Sequence, residues 1–121
     1  MAVILNDQIT INKTKELAAN AAAPSNRIEN LAWISSGTTL TAPSDGYIYL
    51  EGAYGSTGLN DFRYIEIRSL NGSGLSSRAY GNNQSAYTLT LPVSKGTQFK
   101  INYNISTTPS VFRFVYRVGA I

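Results

Sequence analysis

Three segments in the second half of the chain alternate apolar and polar residues with a period of two. They are residues 86–93, 97–105 and 110–118, where aromatic or aliphatic side chains alternate with Thr, Asn, Lys or Arg. Because successive side chains of a β-strand point to opposite faces, a strand with this pattern buries one face and exposes the other. The pattern therefore predicts three half-buried antiparallel strands.

Further predicted strands lie upstream, each bounded by turn-forming residues. Residues 43–46 (PSDG) are a turn signal, and Asn71-Gly72 is a strong hairpin signal. These strands are residues 38–41, 47–54, 62–70 and 75–80. About eight short strands in about ninety residues predict an all-β antiparallel sandwich, as in a jelly roll.

The first 30 residues have a different character. Residues 1–12 alternate apolar side chains as a strand or an extended arm does, and residues 13–23 are rich in helix-forming Ala, Lys, Glu and Leu. Pro24 ends that run, so we expect a short helix or linker over residues 13–30. The sequence thus predicts an N-terminal arm over residues 1–30 and a β-sandwich head domain over residues 31–121.

Composition narrows the classes of function. The 121 residues carry ten basic and seven acidic side chains, and the net charge of +3 is spread along the chain. Nucleic-acid-binding proteins cluster basic residues in a patch or stripe; no such run occurs, so no nucleic-acid partner is expected. Apolar runs are short, and the first residues lack the basic and apolar regions of a secretory signal. We therefore expect neither membrane insertion nor a cleaved signal peptide.

The sequence offers few groups for catalysis. It contains no His and no Cys, which excludes a Ser-His-Asp triad, thiolate chemistry and disulfides. Glu51 and Glu66 fall inside predicted strands, and a glycosidase would need two carboxylates in one cleft. We favour the simpler interpretation that each carboxylate lies on an outer face beside an arginine, as Arg68 lies beside Glu66. The prediction is a protein without enzymatic activity.

Neither a metal nor a cofactor is predicted. Asp45 stands in an Asp-Gly pair, which is ordinary turn chemistry. No spaced set of acidic residues resembles a calcium-binding loop.

The candidate binding residues are aromatic and cationic. Tyr54 and Tyr80 flank loops rich in Gly, Ser and Asn, so they are predicted at the surface, where an aromatic ring covers the apolar side of a sugar or protein partner. Arg63, Arg68 and Arg78 lie on the strands that flank the Asn-Gly hairpin. They are either solvated or hydrogen-bonded to a polar ligand or a neighbouring subunit. Three other tyrosines share the apolar side of their strands and are assigned to the core or to a subunit interface: Tyr87, Tyr103 and Tyr116.

Three segments together carry a family resemblance. They are residues 39–50 (TLTAPSDGYIYL), residues 91–101 (LPVSKGTQFKI) and residues 111–120 (VFRFVYRVGA). In this order, with the chain ending just after the last one, they resemble the C-terminal head domains of bacteriophage tail fibres and related receptor-binding proteins. The resemblance covers residues 31–121 and implies a jelly roll similar to the C1q and tumour-necrosis-factor fold, usually assembled as a trimer. Receptor-contacting residues vary in that family, so none is transferred.

The resemblance implies an attachment function. We expect a trimeric head that binds a glycan or protein on the host cell surface, carried on the virion and made in the host cytoplasm. The alternatives are a structural virion component, such as a capsid or tail-fibre assembly protein, whose residues 1–30 bind another phage protein, and a bacterial carbohydrate-binding or adhesin module.

The apolar residues at the end of the chain give a second, physical reason to expect a trimer. Residues 118–121 (VGAI) are apolar to the last residue. An exposed apolar end is unfavourable in a monomer, and it is buried if three chains meet there. The alternative is that Ile121 packs against its own sheet.

Overall fold

A computed structural model of the chain describes residues 23–55, 62–71, 74–82 and 85–120. Within these ranges the chain forms eight β-strands and no helix. The strands are Pro24–Asn30 (β1), Thr39–Thr41 (β2), Gly46–Ala53 (β3), Phe62–Ser69 (β4), Ser76–Asn82 (β5), Ala86–Val93 (β6), Gln98–Tyr103 (β7) and Val111–Arg117 (β8).

The strands form two four-stranded sheets. The first sheet has the order β1-β8-β3-β6, and the second sheet has the order β2-β7-β4-β5. Every pair of neighbouring strands is antiparallel. The predicted all-β antiparallel sandwich is therefore confirmed.

Alternate positions of both sheets fill the core between them. Ile48 and Leu50 of β3, Ile65 and Ile67 of β4, and Phe99 of β7 are almost completely buried. Burial of a side chain of this size contributes roughly 1.5–3 kcal/mol, so the period of two read from the sequence is also the main source of stability.

Two of the three tyrosines assigned to the core or an interface lie in the core. Tyr87 and Tyr116 are buried, and Tyr116 packs edge-on against Phe114 with ring centroids 4.9 Å apart. Tyr103 is half-buried, and its ring lies 4.8 Å from that of Trp33. A core position is therefore confirmed for Tyr87 and Tyr116, and Tyr103 packs against the margin of the core.

The prediction of a helix or linker up to residue 30 is wrong for its last seven residues, which form β1. This strand lies at the edge of the first sheet and pairs with β8. Only Ile28 is a large apolar residue in it, and most of its side chains are exposed, so no alternating pattern marks it in the sequence. Pro24 starts the strand instead of ending a helix, a position where the missing N–H is tolerated. The expectations for residues 1–22 lie outside the described residues.

Contacts to β8 hold this edge strand in place. The Ser25 hydroxyl donates to the carbonyl oxygen of Tyr116 at 2.7 Å. The guanidinium carbon of Arg27 lies 3.9 Å from the centroid of the Tyr116 ring, and the Tyr116 hydroxyl donates to Glu29 at 3.0 Å. Polar side chains thus supply the attachment that apolar burial supplies elsewhere.

Asp45 joins three segments at one end of the sandwich. Its Oδ1 accepts a hydrogen bond from the backbone N–H of Lys95 at 2.7 Å, and its Oδ2 accepts one from Arg117 Nη2 at 2.6 Å. The carboxylate therefore links the turn before β3, the turn after β6 and the end of β8. Asp45 lies in a turn, as the sequence predicted.

The described part of the apolar end has one packed and one exposed residue. Ala120 packs against the core of its own chain, while Val118 is partly exposed and donates its backbone N–H to the carbonyl oxygen of Ala23 at 2.9 Å. Ile121 lies outside the described residues.

Candidate functional site

The outer face of the second sheet carries the charged and hydrogen-bonding side chains. The strand register aligns Asn102 of β7, Glu66 of β4 and Arg78 of β5 in one row across the sheet. Further side chains of the same strands surround that row. We call this surface the charged face and define it by Tyr64, Glu66, Arg68, Arg78, Tyr80, Lys100 and Asn102.

Glu66 lies at the centre of the charged face and contacts three of its other side chains. It is only 4% exposed although it points away from the core, because neighbouring side chains cover it. Its Oε2 accepts hydrogen bonds from Arg78 Nε at 2.7 Å and from Arg78 Nη2. Its Oε1 accepts one from Asn102 Nδ2 at 3.1 Å and lies 3.4 Å from Arg68 Nε. Both carboxylate oxygens are therefore fully engaged.

These contacts keep Glu66 ionised. Burial raises the pKa of its carboxyl group, but the hydrogen bonds from Asn102 and Arg78 and the charges of Arg68 and Arg78 outweigh it, so the pKa is lowered overall. The carboxyl group is consequently negative at neutral pH. A raised pKa is the property expected of a catalytic acid, and Glu66 has the opposite shift.

Arg78 connects Glu66 to the exposed aromatic ring of Tyr80. Its Nη1 donates to the Tyr80 hydroxyl at 2.7 Å, while its other nitrogens are bound to Glu66. Tyr80 is 65% exposed. A shallow depression beside this ring is lined by Ser36, Tyr64, Glu66, Arg78, Tyr80 and Asn102. The depression thus combines an accessible ring with fixed hydrogen-bonding groups.

Three of the five predicted binding residues meet on the charged face: Arg68, Arg78 and Tyr80. Arg63 does not join them, because it has the opposite side-chain direction on β4. Its Nη1 donates instead to the backbone carbonyl of Asn104 at 2.8 Å.

Tyr54 is not at the surface, and the expectation that it is exposed is wrong. It is 3% exposed, and its ring lies 5.3 Å from that of Tyr87. The ring fits over Gly81, where an added Cβ would overlap it. A glycine inside a strand marks a close approach of another group, so Gly81 was the signal that could have placed Tyr54 inside.

The sequence pointed to Arg68 as the partner of Glu66 and missed Arg78. The ion pair with Arg68 is present, but Arg78 makes the closer contact from the neighbouring strand. Asn102 and Lys100 were also missed as parts of a site. Their position depends on the pairing of β4 with β7, which are far apart in the chain.

Glu51 and Glu66 do not form a carboxylate pair. Glu51 is exposed on the outer face of the first sheet, where it accepts a hydrogen bond from the Tyr49 hydroxyl at 2.8 Å. Glu66 lies on the outer face of the second sheet. The two-carboxylate arrangement of a glycosidase is therefore not assembled from these residues.

The outer face of the first sheet carries an apolar row, with Arg113 and Glu51 in the neighbouring rows. The register aligns Ile28, Val115, Tyr47 and Pro92 across its four strands. Tyr49 and Pro24 lie beside this row and line a shallow depression with Tyr47 and Val115. We call this surface the apolar face and define it by Pro24, Ile28, Tyr47, Tyr49, Pro92 and Val115.

Within the described ranges, no three acidic, His or Cys side chains lie close enough together to hold a metal ion. The same residues form no helix that is long and apolar enough to cross a membrane.

No protein-family model matches the chain, and comparison with curated proteins finds no match either.

Proposed function

We propose that this chain is a non-catalytic attachment module of a bacteriophage virion, whose trimeric β-sandwich head binds a glycan or protein on the host cell surface. The observation that carries the proposal is an apolar row on one outer face of the sandwich and a charged row on the other. The apolar face suits contact with other copies of the chain, and the charged face suits recognition of a polar partner.

The architecture supports the jelly-roll part of the proposal. A jelly roll stacks eight antiparallel strands in two sheets, and the two sheets here have four strands each. Every connection between consecutive strands except that from β4 to β5 crosses from one sheet to the other. The segments that carry the resemblance to phage tail-fibre heads contribute to β2, β3, β6, β7 and β8.

The apolar face supports self-association. Ile28 is 46% exposed on it, next to the side chain of Val115 and beside two half-exposed tyrosines, Tyr47 and Tyr49. Exposed apolar patches of this kind mark interaction surfaces in soluble proteins, and tyrosine is enriched in them. When three copies bury their apolar faces around a common axis, the three charged faces point outward.

Threefold assembly explains how a shallow site serves attachment. The depression at Tyr80 is open and offers few contacts to one ligand. Three linked copies convert the second and third binding events into intramolecular ones, which raises the overall affinity without any new contact.

The molar mass in solution tests the assembly. We expect the full chain to have three times the mass of 13.1 kDa that one copy has. Val115→Glu places a carboxylate in the buried interface, which costs about 3–5 kcal/mol for an uncompensated charge, and should give a folded monomer. Thr41→Glu makes the same kind of change on the outer face of the second sheet and should leave the trimer intact. A monomeric wild-type chain would refute the trimer.

Binding to intact cells tests attachment. We expect the fluorescently labelled wild-type chain to bind a subset of a panel of bacterial strains, and the Val115→Glu monomer to bind the same strains more weakly. Failure to bind any strain, together with capture of another virion protein through residues 1–30, would favour the structural role instead.

A further inference from the structure

Two adjacent cations of the charged face have fewer acidic partners than positive charges within the described ranges. Lys100 and Arg68 are directly opposite each other on the paired strands β7 and β4. Like charges directly opposite each other destabilise a sheet, so folding stability does not explain why Lys100 and Arg68 are paired. Among the described residues Lys100 has no ion-pair partner, and Arg68 shares its single partner, Glu66, with Arg78.

The excess positive charge of the charged face favours the binding of an anion. Three cations, Arg68, Arg78 and Lys100, face one carboxylate, Glu66, which leaves two positive charges in excess. Glu66 is saturated by the hydrogen bonds of Arg78 and Asn102. The side chain of Arg68 is 51% exposed, so its guanidinium group remains accessible to a ligand.

Hydroxyl groups flank the two cations. Thr39 of β2 pairs with Lys100, and Ser76 of β5 pairs with Arg68, so one row across the sheet is Thr39, Lys100, Arg68, Ser76. A carboxylate placed over the centre of this row would meet the two positive charges. The neighbouring hydroxyl groups of a sugar would meet Thr39 and Ser76.

An exposed aromatic strip lies further along the same face. Tyr80 is four residues from Ser76 on β5, about 13 Å at the usual rise of a strand. Phe62, which is 71% exposed, lies on the same outer side of β4, two residues beyond Tyr64. Aromatic rings at this distance from the cations suit a ligand of several linked sugar rings, one stacked on Tyr80 and another presenting its charge to Lys100.

We propose that the charged face binds an acidic polysaccharide, with a sugar carboxylate between Lys100 and Arg68 and a second sugar ring against Tyr80. This inference rests on the proposed attachment function and names the chemical class of its receptor. A glycan is favoured over a nucleic acid because the positive charge is confined to one short row and forms no stripe along the surface.

The test compares two polymers with the same backbone. Binding of the full chain to polygalacturonate and to its fully methyl-esterified form is measured by isothermal titration calorimetry at low salt, with alginate and dextran as a second acidic and neutral pair. We expect binding to the acidic polymers that is at least tenfold stronger than binding to the neutral ones and weakens as salt is added.

Matched variants locate the site. Lys100→Gln removes one charge without breaking an ion pair and should weaken acidic-polymer binding about tenfold, the scale of one hydrogen bond to a charged group. Lys95→Gln makes the same change in the exposed turn after β6 and should leave binding unchanged. Tyr80→Leu should weaken binding to both acidic polymers and leave the salt dependence intact.

The outcomes separate the inference from the function on which it rests. The inference is overturned if the esterified polymer binds as well as polygalacturonate, if Lys95→Gln and Lys100→Gln weaken binding equally, or if single-stranded DNA binds more tightly than the acidic polymers. Binding to bacterial cells that is unaffected by Lys100→Gln would overturn the inference and leave the attachment function standing. Absence of binding to every polymer and every strain would overturn both.

Discussion

Replacement of Glu66 by Gln removes the negative charge at the centre of the charged face and keeps the shape of the side chain. In the wild-type protein the carboxylate accepts two hydrogen bonds from Arg78 and one from Asn102. A hydrogen bond to a charged group contributes about 1.5–3 kcal/mol, but Gln retains one acceptor oxygen and both arginines are partly solvated. We therefore expect the free energy of unfolding at pH 7 to fall by about 2 kcal/mol.

The pH dependence gives this prediction a second, independent readout. The folded-state pKa of Glu66 lies below the ordinary value of 4.5, so its stabilisation is present above that pH and is lost as the pH falls through the folded-state pKa. The glutamine side chain of the Glu66→Gln variant does not titrate. The difference in stability between the two proteins should therefore be full at pH 7 and shrink progressively below a pH of about 4.5.

The assay is urea unfolding followed by circular dichroism at fixed protein concentration, from pH 7 to pH 2.5. Glu51→Gln is the matched control, because Glu51 is exposed and accepts one hydrogen bond, from the Tyr49 hydroxyl, which the oxygen of a glutamine can still accept. It should change the free energy of unfolding by less than about 0.5 kcal/mol, as ordinary surface substitutions do. The reasoning is refuted if Glu66→Gln costs no more than this control, or if the two proteins lose stability with the same dependence on pH.

Two further pairs of variants test the packing. Tyr87→Phe should leave the free energy of unfolding unchanged or raise it by about 1 kcal/mol, because the buried Tyr87 hydroxyl has no hydrogen-bond partner among the described residues. Tyr103→Phe should lower the free energy of unfolding by about 1 kcal/mol, because the Tyr103 hydroxyl donates to a backbone carbonyl at 2.6 Å. Thermal unfolding in parallel decides this, and an equal loss in both variants would contradict it. Gly46→Ala should lower the free energy of unfolding by more than about 3 kcal/mol, since the added Cβ overlaps the carbonyl oxygen of Val115. Gly96→Ala should lower it by only about 1–2 kcal/mol, because Gly96 has a left-handed backbone conformation but open space around it. Soluble yield and melting temperature are the readouts, and a milder effect at Gly46 than at Gly96 would show that β3 and β8 are not packed as described.

The sequence was sufficient for strands that have one buried and one exposed face. Such strands, β6, β7 and β8, repeat apolar residues with a period of two, and Gly or Pro marks the turns between several of the others. β1 was not predicted as a strand because it lies at the edge of a sheet and its side chains are mostly exposed. Its stability comes from pairing with β8, a partner more than eighty residues away, and local propensity carries no trace of that pairing.

The candidate site was predicted only in part, for a related reason. The position of Arg68 two residues from Glu66 follows from the strand period alone. The contacts of Arg78, Asn102 and Lys100 depend on the registers of β4 with β5 and with β7. A shift of two residues in either register would keep the same faces but give these side chains other neighbours, and the alternation within one strand does not distinguish the two registers.

The anchoring of Arg78 has a consequence for molecular recognition. A free arginine has many rotamers, and a partner that immobilises such a side chain on binding loses about 0.5–1.5 kcal/mol of affinity to conformational entropy. Here the carboxylate beneath it has already restricted the guanidinium group, which in turn orients the Tyr80 hydroxyl. A molecule that docks against this ring therefore meets a preorganised surface, and most of the ordering has occurred during folding.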